Sequence, residues 1–332
     1  MLLSLKIINW NNFFMKQNTV IKLGIVIPCY NEEEVLHETT KRLQSIFDEM
    51  ISENKISKDS FVCYVDDGSK DNTWKLIEEF KNNSTTFKGI KLSRNFGHQN
   101  ALTAGLMQLK DSADALISMD SDLQDDINIV KEFVQKYKEG YDVVYGVRED
   151  RSQDTKFKRT TAEFFYKFQS FMGIETINNH ADYRLLSKKA LEALSHFKEV
   201  NLFLRGIVPL LGYKSCSVYY KRAERFAGET KYPLKKMILL ALDGITSFSI
   251  VPLHMITIVG FILFLFSLMA IAWVMVEKFL FGNAVQGWAS TMISIYFIGG
   301  IQIMSLGVIG EYVGRNFQEV KRRPRYIIDK EI

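Results

Sequence analysis

The sequence predicts an α/β protein with a mostly parallel sheet flanked by helices, followed by a C-terminal two-helix transmembrane hairpin. Three observations predict it. Short β-branched runs alternate with stretches of helical periodicity through the N-terminal part of the chain. Charged residues crowd positions 31–236. Residues 244–314, by contrast, carry only Glu277, Lys278 and Glu311 as formal charges.

The strand-like runs are Leu23 to Pro28, Phe61 to Val65, Gly89 to Leu92, Ala115 to Met119 and Val143 to Val147. Helical spacing fills Glu32 to Met50 and Thr73 to Asn82 between them. Alternation of this kind implies a sheet covered on both faces, with ligands bound beyond the carboxyl ends of its strands. At 332 residues, 47% hydrophobic and 24% charged, the chain is too rich in apolar residues to be disordered. A net charge of +4 is too small to argue for nucleic acid. Much of the basic excess lies in Lys321, Arg322, Arg323 and Arg325, a membrane-surface signal.

Cys29, Cys63 and Cys216 are widely spaced and form no Cys-x-x-Cys pair, so they read as buried reduced thiols of a cytoplasmic domain. Residues 1–22 lack a long apolar core and a small-residue cleavage site; they read as a leader, not a signal peptide.

Ile245 to Val276 and Trp288 to Val313 each exceed the ~20 residues needed to cross a bilayer core. The sequence therefore places two spans and a short loop within residues 250–314. Lys235 and Lys236 precede the first span and Arg315 follows the second, which puts the catalytic domain and both termini on the cytoplasmic side of the cell membrane. Residues 232–249 mix Lys with Leu, Ile and Phe and suit an amphipathic helix, on the membrane surface or packed on the domain. Residues 315–332 are left as a basic cytoplasmic tail, and residues 23–231 as the catalytic domain.

Four motifs stand where strands stop. They are Pro28-Cys29-Tyr30-Asn31-Glu32-Glu33-Glu34, Asp66-Asp67-Gly68-Ser69-Lys70-Asp71-Asn72-Thr73, Ser93-Arg94-Asn95-Phe96-Gly97-His98-Gln99-Asn100 and Asp120-Ser121-Asp122-Leu123-Gln124-Asp125-Asp126. A carboxylate at a strand end can accept from a base N–H or ribose hydroxyls, and Gly68 lets the backbone turn close to a ligand. Either of the first two segments alone is equally a turn with a helix cap. Asp-x-Asp brings two hard oxygen ligands near one point, suiting Mg²⁺ or Mn²⁺ on a diphosphate. Solvated turns contain that triplet too, and His98 alone reads as structural or solvent-facing.

Taken in order, the motifs resemble those of the inverting glycosyltransferases of the GT-A (Rossmann-like) fold. More narrowly they are similar to the polyisoprenyl-phosphate glycosyltransferases, which include dolichol-phosphate mannose synthase and the bactoprenol glucosyltransferases. The resemblance runs from about Ile25 to Ile328 and includes Ala181-Asp182-Tyr183-Arg184, Phe203-Leu204-Arg205-Gly206, the run Arg225 to Tyr232 and Gly310-Glu311-Tyr312-Val313-Gly314-Arg315. It implies that Pro28, Tyr30, Glu32, Asp67 and Arg148 bind the nucleotide sugar and that Asp120 and Asp122 address the metal and diphosphate. Gln124 reaches the same site, and Asp182 positions acceptor or sugar. Arg159, Arg205, Arg225 and Lys231 are then candidates for the lipid phosphate, since guanidinium forks suit phosphate oxygens. Asp126 departs from the proline that many relatives carry there.

The resemblance further implies a nucleotide-sugar donor, UDP-glucose before GDP-mannose, a polyprenyl phosphate acceptor and a homo-oligomer. A processive synthase would carry Gln-x-x-Arg-Trp, which is absent from the sequence. A hydroxyl-directed transferase and a non-catalytic membrane scaffold remain as alternatives; retention of Asp120 and Asp122 argues against the scaffold.

Overall fold

A computed structural model describes residues 19–148, 180–200, 204–221, 251–280 and 287–332. Arg159, Arg225, Lys231, the amphipathic segment 232–249 and nearly all of the leader lie outside the described residues. The elements are β1 (Leu23–Cys29), α1 (Leu36–Ser52), β2 (Phe61–Asp66), α2 (Thr73–Asn83), β3 (Phe87–Leu92), α3 (His98–Leu109) and β4 (Ala115–Ser118). They continue with α4 (Val130–Lys138), β5 (Val143–Arg148), β6 (His180–Ser187), α5 (Lys188–Ser195), α6 (Leu204–Leu210), β7 (Ser215–Tyr220), α7 (Val251–Leu280), α8 (Trp288–Lys321) and β8 (Ile328–Glu331). The sheet, its helices and Pro324–Ile332 form one compact unit, and α7 and α8 belong to a second.

The eight strands form a single sheet in the order β7-β5-β6-β4-β1-β2-β3-β8. β1 and β2 are buried at every position, which is why they read as continuous apolar runs instead of alternating ones. They pair in parallel from Gly24 opposite Phe61 to Cys29 opposite Asp66, so the loops that follow them emerge side by side. β1–β4, β2–β3 and β5–β7 are parallel too. The sheet is nevertheless mixed, because β6 runs antiparallel between β4 and β5 and β8 runs antiparallel along β3. The strand at β6 escapes a hydrophobicity reading because Asp182 and Arg184 interrupt its apolar pattern.

Helices pack on both faces through stripes of helical period. α1 buries Leu36, Leu43, Ile46, Phe47 and Met50 against the sheet. α3 approaches β1 and β2 so closely that a Cβ on Gly105 would lie 2.4 Å from Val26 Cγ1 and 2.7 Å from Val65 Cγ2.

α7 and α8 are long, at 30 and 34 residues. Among the described residues Phe297–Lys321, with mean hydropathy 1.3, is long and apolar enough to cross a membrane, whereas the apolar stretch Val251–Leu263 is shorter. α8 does not stop near Gly314. It continues to Lys321 and ends at Arg322 in the left-handed region, φ 48°. The last residues, expected as a tail, instead form the sheet's edge strand β8.

Candidate active site

The loops after β1 and β2 are laced together. Asn31 N–H donates to Ser69 Oγ at 3.0 Å, Lys70 N–H to Asn31 Oδ1 at 2.9 Å and Glu32 N–H to Thr73 Oγ1 at 2.9 Å. Glu33 Oε2 accepts from Asn72 N–H at 3.0 Å. The result is a surface hollow lined by Asn31, Glu33, Glu34, Lys70 and Asp71. Tyr30 at its start is exposed, Glu32 is half-buried, and Pro28 lies buried within β1.

Asp67 points inward. Its two carboxylate oxygens accept from Phe96 N–H at 2.7 Å and Gly97 N–H at 2.9 Å, so it fixes the loop between β3 and α3. Burial raises its pKa while those two N–H groups oppose the rise. Gly68 follows at φ +69°, and a Cβ there would fall 2.5 Å from Arg94 C and 2.7 Å from Asn95 N. Only glycine lets these two loops touch. Asp66 Oδ1 accepts from Ser69 N–H at 3.1 Å, while its buried Oδ2 has no hydrogen-bond partner; burial raises this carboxyl as well.

The loop after β4 turns sharply: Leu123 adopts φ 57°, and Gln124 N–H donates to Asp122 Oδ1 at 3.2 Å. A leucine in that region is strained, and strain of this kind concentrates at functional sites. Asp120 Oδ1 is sealed from solvent without a hydrogen bond, although the side chain as a whole keeps 31% exposure. His98 Nε2 approaches that oxygen to 3.4 Å and Asp182 Oδ2 to 3.9 Å, linking the β4 loop to β6. Burial is the largest influence on Asp120 and pushes its carboxyl up to about 6; His98 opposes this, and Asp125, Asp182 and Asp122 reinforce it.

Asp182 is gripped from two sides. Arg184, on the same face of β6 two residues on, binds Oδ1, and Arg205 of α6 donates from Nη2 to Oδ2 at 3.0 Å and from Nε to Oδ1 at 3.3 Å. Gln99 Nε2 adds 3.2 Å to Oδ2. Burial opposes ionisation here, but Arg205 and Arg184 outweigh it and hold the carboxyl well below the ordinary carboxylate range. Arg184 is itself buried and donates from Nη1 to Leu204 O at 3.1 Å.

Arg148, at the end of β5, donates from Nη2 to Asp125 Oδ1 at 2.9 Å, and Tyr220 OH binds the same oxygen. Asp125 Oδ2 stays buried without a hydrogen-bond partner.

The geometry thus gathers Asp120, Asp122 and Gln124 on one loop, brings His98 and Asp182 beside Asp120, and adds Arg205 through Asp182. Arg148 stands with Asp125 and Tyr220. Arg184 and Gln99 stand within motifs quoted from the sequence but received no role there, although an i, i+2 acid–base pair on a strand was the available signal for Arg184.

Among the described residues no group of three or more His, Cys, Asp or Glu is arranged to enclose a metal ion. Mg²⁺ and Mn²⁺ need no such cage when waters and substrate phosphates complete the shell. The orphaned Asp120 oxygen among further carboxylates is the kind of donor that fits them.

The profile of the family described as "Glycosyl transferase family 2" matches residues 24–195. The chain is 53% identical over 317 residues to the "Uncharacterized glycosyltransferase YkoT" of Bacillus subtilis (strain 168), covering 95% of this chain and 93% of that protein. It is 39% identical over 311 residues to the "Prophage bactoprenol glucosyl transferase homolog" of Escherichia coli (strain K12), covering 93% and 99%. It is 38% identical over 314 residues to the "Bactoprenol glucosyl transferase" of Shigella phage SfII, covering 93% and 98%. Among solved structures, the mannosyltransferase PcManGT from Pyrobaculum calidifontis in complex with GDP-Man and Mn²⁺ is similar at TM-score 0.44 and 15% identity, over 69% of this chain and 71% of that one.

Proposed function

This chain belongs to glycosyl transferase family 2, and on that premise we propose that its GT-A sheet transfers a sugar, glucose from UDP-glucose, to polyprenyl phosphate with inversion. The observation that carries the acceptor assignment is the pairing of Asp182 with both Arg184 and Arg205. A carboxylate held this far below its ordinary range is a poor general base. A hydroxyl acceptor needs a base, whereas a phosphate monoester is already anionic near neutral pH. The names of the bactoprenol relatives support the same acceptor.

In the proposed reaction a phosphate oxygen of the lipid attacks the anomeric carbon, the bond from that carbon to the donor diphosphate breaks, and the nucleoside diphosphate leaves with the electron pair. No proton has to move. The hollow at Asn31 and Lys70, with Tyr30 and Glu32 beside it, receives the nucleotide. Asp120 and Asp122 would hold Mg²⁺ or Mn²⁺, which would supply positive charge to the departing diphosphate. Gln124 orients that end of the donor, Asp182 holds Arg205 in place, and Arg205, whose side chain keeps 41% exposure, meets the lipid phosphate. Arg148 supports the donor side, and Arg159, Arg225 and Lys231 complete the phosphate contacts.

α7 and α8 serve as two membrane spans that keep the site at the interface where the lipid phosphate lies, with the catalytic unit cytoplasmic and the chains associated as a homo-oligomer. The 30 helical residues of α7, charged only at Glu277 and Lys278, support the second span.

The test incubates purified full-length chain with Mn²⁺ or Mg²⁺, undecaprenyl phosphate and radiolabelled nucleotide sugars. UDP-glucose should move label into the organic phase. Label from GDP-mannose instead would replace the donor, and no label from any donor would overturn the proposal.

A further inference from the structure

The segment that follows α8 touches both halves of the site. Arg325 donates from Nη2 to Phe197 O at 2.7 Å, and Phe197 lies in the connection that leads from α5 towards Arg205. Two residues on, Ile327 O accepts from Ser93 N–H at 3.0 Å, where β3 turns into the loop clasped by Asp67. β8 then runs along β3, from Leu92 opposite Ile328 to Ile90 opposite Glu331, and Ile332 exchanges two backbone hydrogen bonds with Gly89 at 2.9 and 3.1 Å. Ile332 also packs over Gly89, where a Cβ would lie 2.9 Å from its Cγ1.

We infer that residues 325–332 are a strap that positions the acceptor side of the site, with Arg325 as its positioning residue. The strap reaches the two segments that converge on Asp182. Through Ser93 it steadies the loop that delivers His98 and Gln99; through Phe197 it steadies the approach to Leu204 and Arg205. A charged donor on a half-buried carbonyl is the stronger sort of hydrogen bond. Only Arg322, Arg323 and Pro324 separate Arg325 from the end of α8, so the strap continues directly from a helix whose Phe297–Lys321 stretch is long and apolar enough to cross a membrane.

The inference rests on the proposed lipid phosphate acceptor for its kinetic consequence and is independent of it for its structural one. Arg325→Ala should raise the KM for undecaprenyl phosphate by about ten-fold, the scale of one lost charged hydrogen bond, and leave the KM for the nucleotide sugar within about two-fold. Arg325→Lys should restore most of the loss. Lys330→Ala, which removes the exposed contact from β8 to Glu78 of α2, should change neither. Amide hydrogen exchange on the same variants reports the strap without any substrate: Arg325→Ala should speed exchange at Phe197–Val200 and Ser93–Gly97 while β1, β2 and β4 hold. Equal rises in both KM values, or exchange that is unchanged or faster throughout, would overturn the strap. A wild-type chain with no transfer activity would instead overturn the acceptor assignment, with exchange still judging the strap.

Discussion

Arg205 Nη2 lies 3.0 Å from Asp182 Oδ2 while Arg184 holds the other oxygen of the same carboxylate, so one buried anion organises a buried guanidinium and an open one. The two arginines differ in what they offer. Arg184 is 1% exposed and structural, whereas the Arg205 side chain is 41% exposed and available to a ligand.

Asp182→Asn should therefore cost stability as well as activity. It leaves Arg184 buried without an anion, a change that costs about 3–5 kcal/mol in other buried pairs. Arg205→Ala should cost less than that, because its guanidinium is partly screened by solvent and Arg184 still pairs with Asp182, yet raise the acceptor KM. Urea unfolding of the three proteins checks the first comparison and transfer kinetics the second. The folded pKa of Asp182 is depressed, so its contribution is complete above the ordinary carboxylate value of about 3.9 and fades below it. The deficit of the Asn variant should accordingly shrink only in acid.

Gly68→Ala tests the contact between the loops after β2 and β3. At φ +69°, with Arg94 C 2.5 Å from the added carbon, alanine can neither hold the turn nor fit beside the neighbouring backbone. The strain should destabilise by about 1–3 kcal/mol and loosen the Asp67 clasp on Phe96 and Gly97. Thermal unfolding reads the first effect, and loss of nucleotide-sugar affinity reads the second.

The strand ends were legible because their signals are local. β1 and β2 are apolar throughout, and each stops at a turn-forming motif. Asp120 and Asp122 were legible as a pair because two residues on one turn need no tertiary information. The partner of Asp182 on α6 was not, since Arg205 is separated from it by 23 residues and meets it only when α6 folds back. β8 was hidden for a related reason. Its sequence, Ile328-Asp329-Lys330-Glu331, is mostly polar, and its pairing comes from the free edge of β3 instead of its own propensity. Asp67 illustrates the opposite case, a residue expected to bind the nucleotide sugar whose two oxygens clasp the adjoining loop.

Tyr220→Phe probes the second acidic cluster. The phenol OH donates to Asp125 Oδ1, the oxygen that also receives Arg148, and Asp125 Oδ2 has no hydrogen-bond partner. Losing the hydroxyl leaves Asp125 with less compensation for its burial, at a cost of about 1–2 kcal/mol. Because Arg148 keeps its direct bond, the acceptor KM should not change; a matching change there would show that the two clusters are coupled. Denaturant titration and kinetics decide.

Asp120 makes the link between metal and pH measurable. Its folded pKa is raised to about 6 by burial, whereas the unfolded value lies near 3.9. Between those values the folded chain keeps a proton that the unfolded chain has released, so this group makes stability fall as pH rises from about 4 to about 6 and adds no further slope above. Asp120→Asn should flatten that part of the profile. A divalent cation competes with the same proton, so Mn²⁺ should raise the Tm more at pH 7 than at pH 5, with the increment lost in Asp120→Asn and reversed by a chelator in the wild type. Equal Mn²⁺ increments at both pH values, or an increment that persists in the Asn variant, would place the cation elsewhere and separate the orphaned Asp120 oxygen from metal binding.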